Sequence, residues 1–338
     1  MHLDPQGPIL VIGPGAVGTL VAARLATAGH DAVLAARDAV SARALAAGLV
    51  AVDPAGREIR ASVPVVWRRQ DLAAAPRMLV LATKCADAEA ALAAWLPGLA
   101  EHAPVVAMQN GILGDRLKPL AGERLVECTV SFPATLDGPG RSLQTAPGDL
   151  HLGPWPRAGP RDDPSEFKAV ARVLSDVAPV TGSSNMLGVK WTKLAINSCI
   201  TSLGVVAGQP LREILQDRKA RRIFLAIFEE AYAAGRADGV RFERIGRLRA
   251  GMFGRRWPGR DPLLRIVARG YGRHRSSSLQ SLERGRRTEI DWLNGHIVAA
   301  ARRHGADAPV NAAVVALVHD IEAGLRAPDP ANLAALPV

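Results

Sequence analysis

The sequence has no long apolar run and very few cysteines. A membrane-spanning helix needs about 20 consecutive apolar residues, and no run in this chain of 338 residues reaches that length. Its three cysteines, Cys85, Cys128 and Cys199, are widely spaced and odd in number, a pattern that favours neither a disulfide framework nor a metal site. The opening MHLDPQGPILVIG lacks the basic segment and apolar core of a secretory signal. These absences predict a cytoplasmic protein.

Lysine is missing from one long stretch that is rich in arginine. Residues 236–287 hold 15 arginines, no lysine and four acids, a net charge of +11, whereas the whole chain carries +10. A basic segment can bind nucleic acid, but these arginines are interspersed with apolar residues and lack the aromatic-basic motif of an RNA-binding module. We interpret the segment as a solvated helical face, with an anionic ligand or partner as the alternative.

The clearest pattern lies at residues 8–37, PILVIGPGAVGTLVAARLATAGHDAVLAAR. Its apolar runs, separated by glycines, predict a strand at 9–12, a helix at 17–28 ended by Gly29, and a second strand at 32–35. A G-x-G-x-x-G triplet joins the first strand to the helix, and this placement makes it a strong sign of dinucleotide binding.

Each glycine of that triplet has its own physical task. Gly13 permits the tight turn, Gly15 lets the backbone approach a pyrophosphate, and Gly18 lets the helix pack closely on the strand. The free N–H groups of the helix start, near Ala16 and Val17, attract phosphate. We therefore predict that these five residues hold the cofactor.

The residue at the tip of the second strand decides between NAD and NADP. Domains that bind NAD usually place an acid there for the ribose hydroxyls, but this strand ends in Arg37, whose guanidinium suits a 2′-phosphate. We therefore favour NADP(H). Asp38 follows directly and is the open alternative as a ribose ligand.

Two further buried strands, at 78–82 and 105–108, run out into polar residues. Carboxyl ends of parallel strands converge on the ligand crevice of a doubly wound sheet. Lys84 can therefore meet a phosphate or the cofactor ribose, and Asn110 the nicotinamide ribose or the substrate. The alternatives are a solvated loop lysine and a tight turn at Asn110-Gly111.

The rest of the chain predicts a division into two domains. Residues 123–154 read as antiparallel strands that close the sheet, with hairpins near 138–140 and 147–148, followed by a helix at 164–177 and a strand at 178–182. Beyond them the pattern is helical. The helices are predicted at 211–235, 278–304 and 309–325, with an irregular break at 254–260 and a frayed tail at 327–338.

The expected fold class is α/β, with an N-terminal Rossmann-type dinucleotide-binding domain (1–185) and an all-helical C-terminal domain (186–338). The cleft between two such domains is the default active site. In GVKWTKLAINSCITSLG, which lies inside the first helix of the second domain, Lys193, Asn197 and Thr201 recur at intervals of four and share one helix face.

Three segments in order, GPGAVG, KWTKLAINS and RRTEIDWLNG, together resemble the ketopantoate reductase (2-dehydropantoate 2-reductase) family over nearly the whole chain. The resemblance implies a two-domain enzyme of pantothenate biosynthesis that uses NADPH to reduce a 2-oxo acid. It places Arg37 and Lys84 at the adenosine phosphate end and Asn110 near the nicotinamide. It also implies a catalytic lysine at Lys193, a supporting glutamate at Glu289, and substrate contacts at Asn110, Asn197 and Ser277.

The chemistry of these residue types agrees with that implication. Hydride addition to a ketone leaves negative charge on its oxygen, which an ammonium can stabilise and protonate. Lys193 suits this task because partial burial can lower the pKa of a lysine. Glu289 could orient the ammonium or bind a substrate hydroxyl; the alternative is an exposed pairing with Arg286.

Some positions depart from the family pattern. Thr201 stands where the family often has a second asparagine, so we expect it to line the substrate site with a different set of hydrogen bonds. Ser278 and Ser281 replace a larger apolar residue and an acid, and the segment 245–275 is longer and more basic than usual. These departures leave the exact substrate open.

Two other functions stay open. The first is a 3-hydroxy-acid or 6-phosphogluconate-type dehydrogenase, which also pairs a lysine with an asparagine one helical turn later. The second is a non-catalytic NADP-binding regulator whose arginine-rich segment contacts an acidic partner. We expect a small 2-oxo acid as the partner and no membrane, nucleic acid or metal. A homodimer is the candidate assembly, and the sequence leaves the oligomeric state open.

Overall fold

The computed structural model describes residues 6–155, 167–270 and 276–338. The chain divides into two compact units, Met1–Met186 and Leu187–Val338. The first contains strands and helices, and the described part of the second is built from helices. This composition confirms the predicted fold class.

Twelve strands occur among the described residues, all in the first unit. In chain order they are β1 (Ile9–Ile12), β2 (Ala32–Ala35), β3 (Leu49–Val52), β4 (Glu58–Ala61), β5 (Val65–Val66), β6 (Met78–Leu81), β7 (Val105–Ala107), β8 (Leu125–Val130), β9 (Ala134–Leu136), β10 (Arg141–Gln144), β11 (Leu150–Pro154) and β12 (Val180–Gly182). Eight form the main sheet in the order β12-β11-β8-β7-β6-β1-β2-β5. The β11/β8 pairing is antiparallel and the other pairings are parallel. The central strands are continuous buried apolar runs, as parallel sheets require.

The predicted closure of the sheet by residues 123–154 is half right. β8 and β11 pair antiparallel in the main sheet as expected. β9 and β10 form the predicted hairpin, with Gly138 and Gly140 at positive φ, but they belong to a separate four-stranded sheet, β4-β3-β10-β9. The chain near 147–148 therefore connects two sheets and is no hairpin.

The described helices of the first unit flank these sheets; they are α1 (Ala16–Thr27), α2 (Ala39–Leu45), α3 (Cys85–Trp95), α4 (Gly114–Ala121) and α5 (Lys168–Leu174). α1 is rich in Ala and Leu, which favour helix, and Gly29 follows its end at φ +89°. α5 lies inside the helix predicted at 164–177, of which residues 164–166 lie outside the described residues.

The described helices of the second unit are α6 (Met186–Ala207), α7 (Leu211–Ile214), α8 (Arg218–Ala237), α9 (Gly251–Gly254), α10 (Arg260–Gly270), α11 (Ser277–Glu283), α12 (Asn294–Arg303) and α13 (Pro309–Glu322). α12 and α13 pack on α8. The Glu230 carboxylate accepts the N–H groups of Val310 and Asn311, each at 2.9 Å, at the start of α13. These bonds fix α13 to α8, because the first N–H groups of a helix have no partner within it.

Two helices predicted as continuous are broken. The predicted helix at 211–235 divides between α7 and α8, because the Asp217 side chain accepts the Ala220 N–H at 2.8 Å and caps a new helix start. The predicted helix at 278–304 breaks after α11, where Gly285 takes φ +64°. A short 3-10 turn (Ile290–Trp292) then precedes α12.

The predicted fraying of the tail is wrong. Residues Pro330–Ala335 form a 3-10 turn capped by Asp329, and Leu333 and Leu336 are buried. The Asn332 side-chain amide donates to the carbonyl oxygens of Val206 at 3.0 Å and Ala327 at 2.8 Å. The tail is thus fixed to the end of α6 by hydrogen bonds that the composition does not reveal.

Within the described ranges, every helix is too short or too polar to span a lipid bilayer.

Candidate active site

The glycine loop has the geometry that dinucleotide binding needs. Gly13 takes φ +100°, and a Cβ added there would lie 2.8 Å from the Thr83 backbone N. A Cβ on Gly18 would collide with the Gly13 carbonyl oxygen and lie 3.3 Å from the Ala82 Cβ. A Cβ on Gly15 would meet no atom within 4 Å. Gly13 and Gly18 are thus required by the fold, whereas Gly15 faces open space of the kind that a ligand can fill.

The start of α1 offers this space its unbonded backbone N–H groups. Its N-cap is Gly15, which provides no side-chain cap, and the first turn, with Ala16 and Val17, has no acidic residue. The Ser142 hydroxyl donates to the Ala16 carbonyl oxygen at 2.7 Å and holds the turn from β10. A helix start in this form suits a phosphate group, so the loop fits a dinucleotide.

Arg37 and Asp38 lie directly after β2, and the structure separates their roles. The Asp38 Oδ1 accepts the Ser41 N–H at 2.7 Å and its Oδ2 accepts Arg37 Nε at 3.1 Å. The Ser41 hydrogen bond is the largest of the interactions that hold the pKa of Asp38 below its ordinary value. Arg37 is 82% exposed, and its terminal amino groups bond to no described residue. Asp38 is therefore occupied as a helix cap, and Arg37 has free N–H groups for a phosphate.

The ends of β1, β6 and β7 lie at one level, because Ile12, Leu81 and Ala107 are register partners. The residues that follow these ends therefore share one edge of the sheet, as predicted. Lys84 lies at the N-cap of α3 and is partly buried. Asn110 is also partly buried, and its side chain bonds to no described residue.

Gln109 is a residue at this edge that sequence reasoning missed. It is buried, and its Nε2 donates to the carbonyl oxygens of Leu81 at 2.8 Å and Thr83 at 3.1 Å. Gln109 thus fixes the chain beyond β6 beside the chain beyond β7 and so positions its neighbour Asn110. Its place between a strand and the Asn-Gly pair was the available signal.

The second unit places Lys193, Asn197 and Thr201 on successive turns of α6, as the spacing predicts. Lys193 is partly buried, and Asn197 and Thr201 are only 8% and 6% exposed. The Asn197 side-chain amide makes no hydrogen bond within the described ranges. Its amide atoms are not among the fully buried polar atoms that lack a partner, so the amide is accessible to water or to a ligand.

Several short polar side chains on α6 are occupied by the helix itself. The hydroxyls of Ser198 and Thr201 donate to the carbonyl oxygens four residues earlier, at 2.8 and 2.7 Å. The Cys199 Sγ lies 3.3 Å from the Ala195 and Phe224 carbonyl oxygens. Burial raises the pKa of the Cys199 thiol well above its ordinary value, so this cysteine is no nucleophile.

The three serines at the start of α11 occupy different positions, and the predicted substrate contact of Ser277 stays a prediction. Ser277 is exposed at the first position of the helix, and its carbonyl oxygen accepts the Ser281 hydroxyl at 2.9 Å. Ser276, which sequence reasoning passed over, is the N-cap of α11 and bonds to the Thr201 carbonyl oxygen of α6 at 3.4 Å. A Cβ on Gly204 would lie 2.5 Å from the Ser276 Oγ, so α6 and this cap pack closely.

Glu289 is partly buried just before the 3-10 turn and accepts the Trp292 N–H through its carbonyl oxygen at 3.0 Å. Thr288, its neighbour, is tied through its N–H to the Glu322 carboxylate at 2.6 Å. These bonds fix the backbone on both sides of the Glu289 side chain.

A strand, glycine loop and helix that fit a dinucleotide, joined to a helical unit in which a partly buried lysine lies one turn from a largely buried asparagine, define a nicotinamide-dependent oxidoreductase. Comparison with known proteins identifies the family. The family "Ketopantoate reductase PanE/ApbA" matches residues 9–157, and "Ketopantoate reductase PanE/ApbA C terminal" matches residues 185–322. The chain belongs to the ketopantoate reductase family.

Individual relatives agree. The 2-dehydropantoate 2-reductase of Mesorhizobium japonicum is 31% identical over 92% of this chain and 96% of its own length. That of Vibrio cholerae is 28% identical over 93% of this chain and 97% of its own. A crystal structure of a PanE/ApbA family ketopantoate reductase from Ralstonia eutropha superposes with a TM-score of 0.78, at 26% identity over 94% of this chain and 99% of that one. The predicted family, enzyme class and NAD(P)H cofactor are confirmed.

Proposed function

We propose that this protein uses NADPH to reduce the ketone of a 2-oxo acid, either 2-dehydropantoate or a related branched 2-oxo acid, to the 2-hydroxy acid. Residues 1–185 are assigned to the cofactor and 186–338 to the substrate. The observation that carries the proposal is the α6 face, where a partly buried Lys193 lies one turn from Asn197, a largely buried residue whose side-chain amide bonds to no described residue.

The residues of this chain have distinct roles in the proposed reaction. Bound NADPH supplies the hydride that adds to C2 of the substrate. Lys193 stabilises the negative charge that develops on the ketone oxygen and donates the proton that completes the hydroxyl. Asn197 and Asn110 hold the substrate, because an amide both donates and accepts without adding charge. Glu289 orients the ammonium of Lys193 or binds a substrate hydroxyl.

NADPH is preferred over NADH in this proposal because the terminal amino groups of Arg37 bond to no described residue. Asp38 cannot serve the ribose without giving up its contacts to Ser41 and Arg37. Lys84 adds a second positive charge near the same edge of the sheet.

Because of Thr201, the proposal covers branched 2-oxo acids as a class and not 2-dehydropantoate alone. The Thr201 hydroxyl donates to the Asn197 carbonyl oxygen at 2.7 Å. Thr201 therefore has fewer hydrogen-bonding groups left for a substrate hydroxyl than the asparagine of the family pattern would have. A 2-oxo acid with a more apolar branch suits this surface better.

The test is steady-state turnover, followed by NADPH absorbance, over a panel of 2-oxo acids. For the Lys193→Ala variant we expect a fall in kcat of about 100- to 10,000-fold, the usual contribution of a general acid, with NADPH affinity nearly unchanged. The matched control is Lys168→Ala, which removes an exposed lysine from α5. Unchanged turnover in Lys193→Ala would remove this lysine from the mechanism. NADPH oxidation with 3-oxo acids but with none of the 2-oxo acids would favour the alternative 3-hydroxy-acid dehydrogenase.

A further inference from the structure

The helical unit contains a concave site that involves none of the residues assigned to catalysis. A pocket of about 760 Å³ opens at the C-terminal end of α8. Its walls come from α8, the loop at 241–244, the α9 region and residues 255–257. This volume lies within the range of about 300–1,000 Å³ of small-molecule sites.

The aromatic wall of the pocket is built into the fold. The rings of Tyr232 and Phe242 stand 4.8 Å apart at 30°. A Cβ on Gly235 would lie 2.6 Å from the Phe242 Cζ, and a Cβ on Gly254 would collide with the Tyr232 ring. These helical positions are open only to glycine in this packing, so the rings hold a fixed position.

Trp257 adds a third ring, and this one faces solvent. Its indole Nε1 donates to the Met252 carbonyl oxygen at 2.8 Å, and a Cβ on Gly259 would collide with the ring. The residue is nevertheless 42% exposed. An indole that is held in place and left open on one side is a surface on which a planar ring can stack.

The charge around these rings is strongly positive. Five arginines and a single acid, Glu243, line the pocket, which gives it a net charge of +4. Glu243 already lies 3.6 Å from the Arg241 guanidinium. The side chains of Arg236, Arg244 and Arg249 pair with no acid among the described residues. Like charges that line one pocket repel each other, and an anion bound among them would offset that repulsion.

A tight turn between Arg244 and Arg249 explains why both arginines line the pocket. Backbone bonds of 3.1 and 2.9 Å pair Ile245 with Leu248. The flanking residues Arg244 and Arg249 therefore leave the turn on the same side. Planar guanidinium forks match phosphate oxygens in pairs.

We propose that this pocket binds a nucleoside polyphosphate, with the phosphates on Arg236, Arg244 and Arg249 and the base on the Trp257 ring. A solvated arginine face would explain the charge alone. It would not explain why three fixed aromatic rings line the same pocket as the arginines, or why the surface is concave.

The test is calorimetric titration of the full chain at saturating NADP⁺, so that the cofactor site is already filled. The probes are ATP without magnesium, inorganic triphosphate and adenosine. We expect one further ATP per chain, inorganic triphosphate about ten-fold weaker because it lacks the stacking base, and adenosine weaker still.

Two triple variants separate the pocket from general charge. Arg236→Gln/Arg244→Gln/Arg249→Gln is expected to weaken ATP binding by about ten-fold or more, since charge-assisted hydrogen bonds are lost. The control, Arg218→Gln/Arg222→Gln/Arg302→Gln, removes the same charge from exposed arginines outside the pocket and is expected to bind normally. Reductase turnover in both variants shows whether they are folded.

Several results would overturn the proposal. These are the absence of a second ATP site, an equal loss of affinity in both variants, or equal affinity for ATP and inorganic triphosphate. Tight binding of an oligonucleotide without binding of ATP would show that these arginines form a nucleic-acid-binding surface and not a nucleotide pocket.

Discussion

Replacement of Gly15 by alanine is expected to remove cofactor affinity and leave the fold intact. Gly15 has φ −81° and ψ −171°, which any L-residue can adopt. A Cβ there meets no protein atom within 4 Å. The added methyl group therefore costs the free protein very little. In the complex it would occupy the space where the pyrophosphate approaches the backbone.

The two effects differ enough in size to be separated. For folding, the small preference for Gly over Ala at an N-cap and the lower entropy of the unfolded alanine chain oppose each other, so the free energy of unfolding changes by about 0.5 kcal/mol or less. For binding, each charge-assisted bond from a backbone N–H that is lost weakens affinity by about 1.5–3 kcal/mol. One lost bond corresponds to roughly a 10- to 150-fold increase in the Kd for NADPH.

The Gly18→Ala variant is the matched comparison. Its Cβ would lie 3.1 Å from the Gly13 carbonyl carbon and closer still to the oxygen, so overpacking is expected to lower stability by about 1–3 kcal/mol. NADPH fluorescence titration and thermal unfolding measure the two quantities for both variants. If Gly15→Ala binds NADPH as tightly as the parent protein, the pyrophosphate does not lie on this loop residue. If it unfolds as early as Gly18→Ala, the space beside Gly15 is not open.

Two further substitutions test cofactor choice and substrate choice. Arg37→Ala is expected to raise the Kd for NADPH by about ten-fold and leave that for NADH unchanged, because only NADPH carries the 2′-phosphate; an equal loss for both cofactors would place Arg37 elsewhere. Thr201→Asn restores the family amide and is expected to raise kcat/KM for 2-dehydropantoate about 3- to 10-fold relative to 3-methyl-2-oxobutanoate, which lacks the hydroxyl, by the value of one hydrogen bond. An unchanged ratio of the two kcat/KM values would exclude Thr201 from contact with the substrate branch.

The cofactor half could be predicted from sequence because its constraints are local. Gly13 has φ +100°, and a Cβ on Gly18 would collide with the Gly13 carbonyl oxygen, so both positions favour glycine. The presence of glycine at these positions therefore predicts the local backbone geometry. Strand ends such as Lys84 and Asn110 follow equally directly, because a parallel sheet aligns them.

The failed fold predictions have different physical causes. Apolar spacing runs through 211–235, yet the Asp217 carboxylate caps a new helix inside it, so a local cap overrides the periodicity. The split of β9 and β10 into a second sheet depends on pairing with the distant β3, which no local pattern contains. The run of three serines likewise does not single out Ser276 as the N-cap of α11.

The ordered tail has a consequence for the helix that carries Lys193. The carbonyl oxygen of Val206, near the end of that helix, accepts hydrogen bonds from the Asp329 N–H and the Asn332 side chain, each at 3.0 Å. The last carbonyl oxygens of a helix have no partner within it, so residues more than 120 positions along the chain supply what α6 itself cannot. Replacing Asn332 by alanine would remove one of these two donors, and the resulting loss would fall on α6 although no residue of α6 has changed.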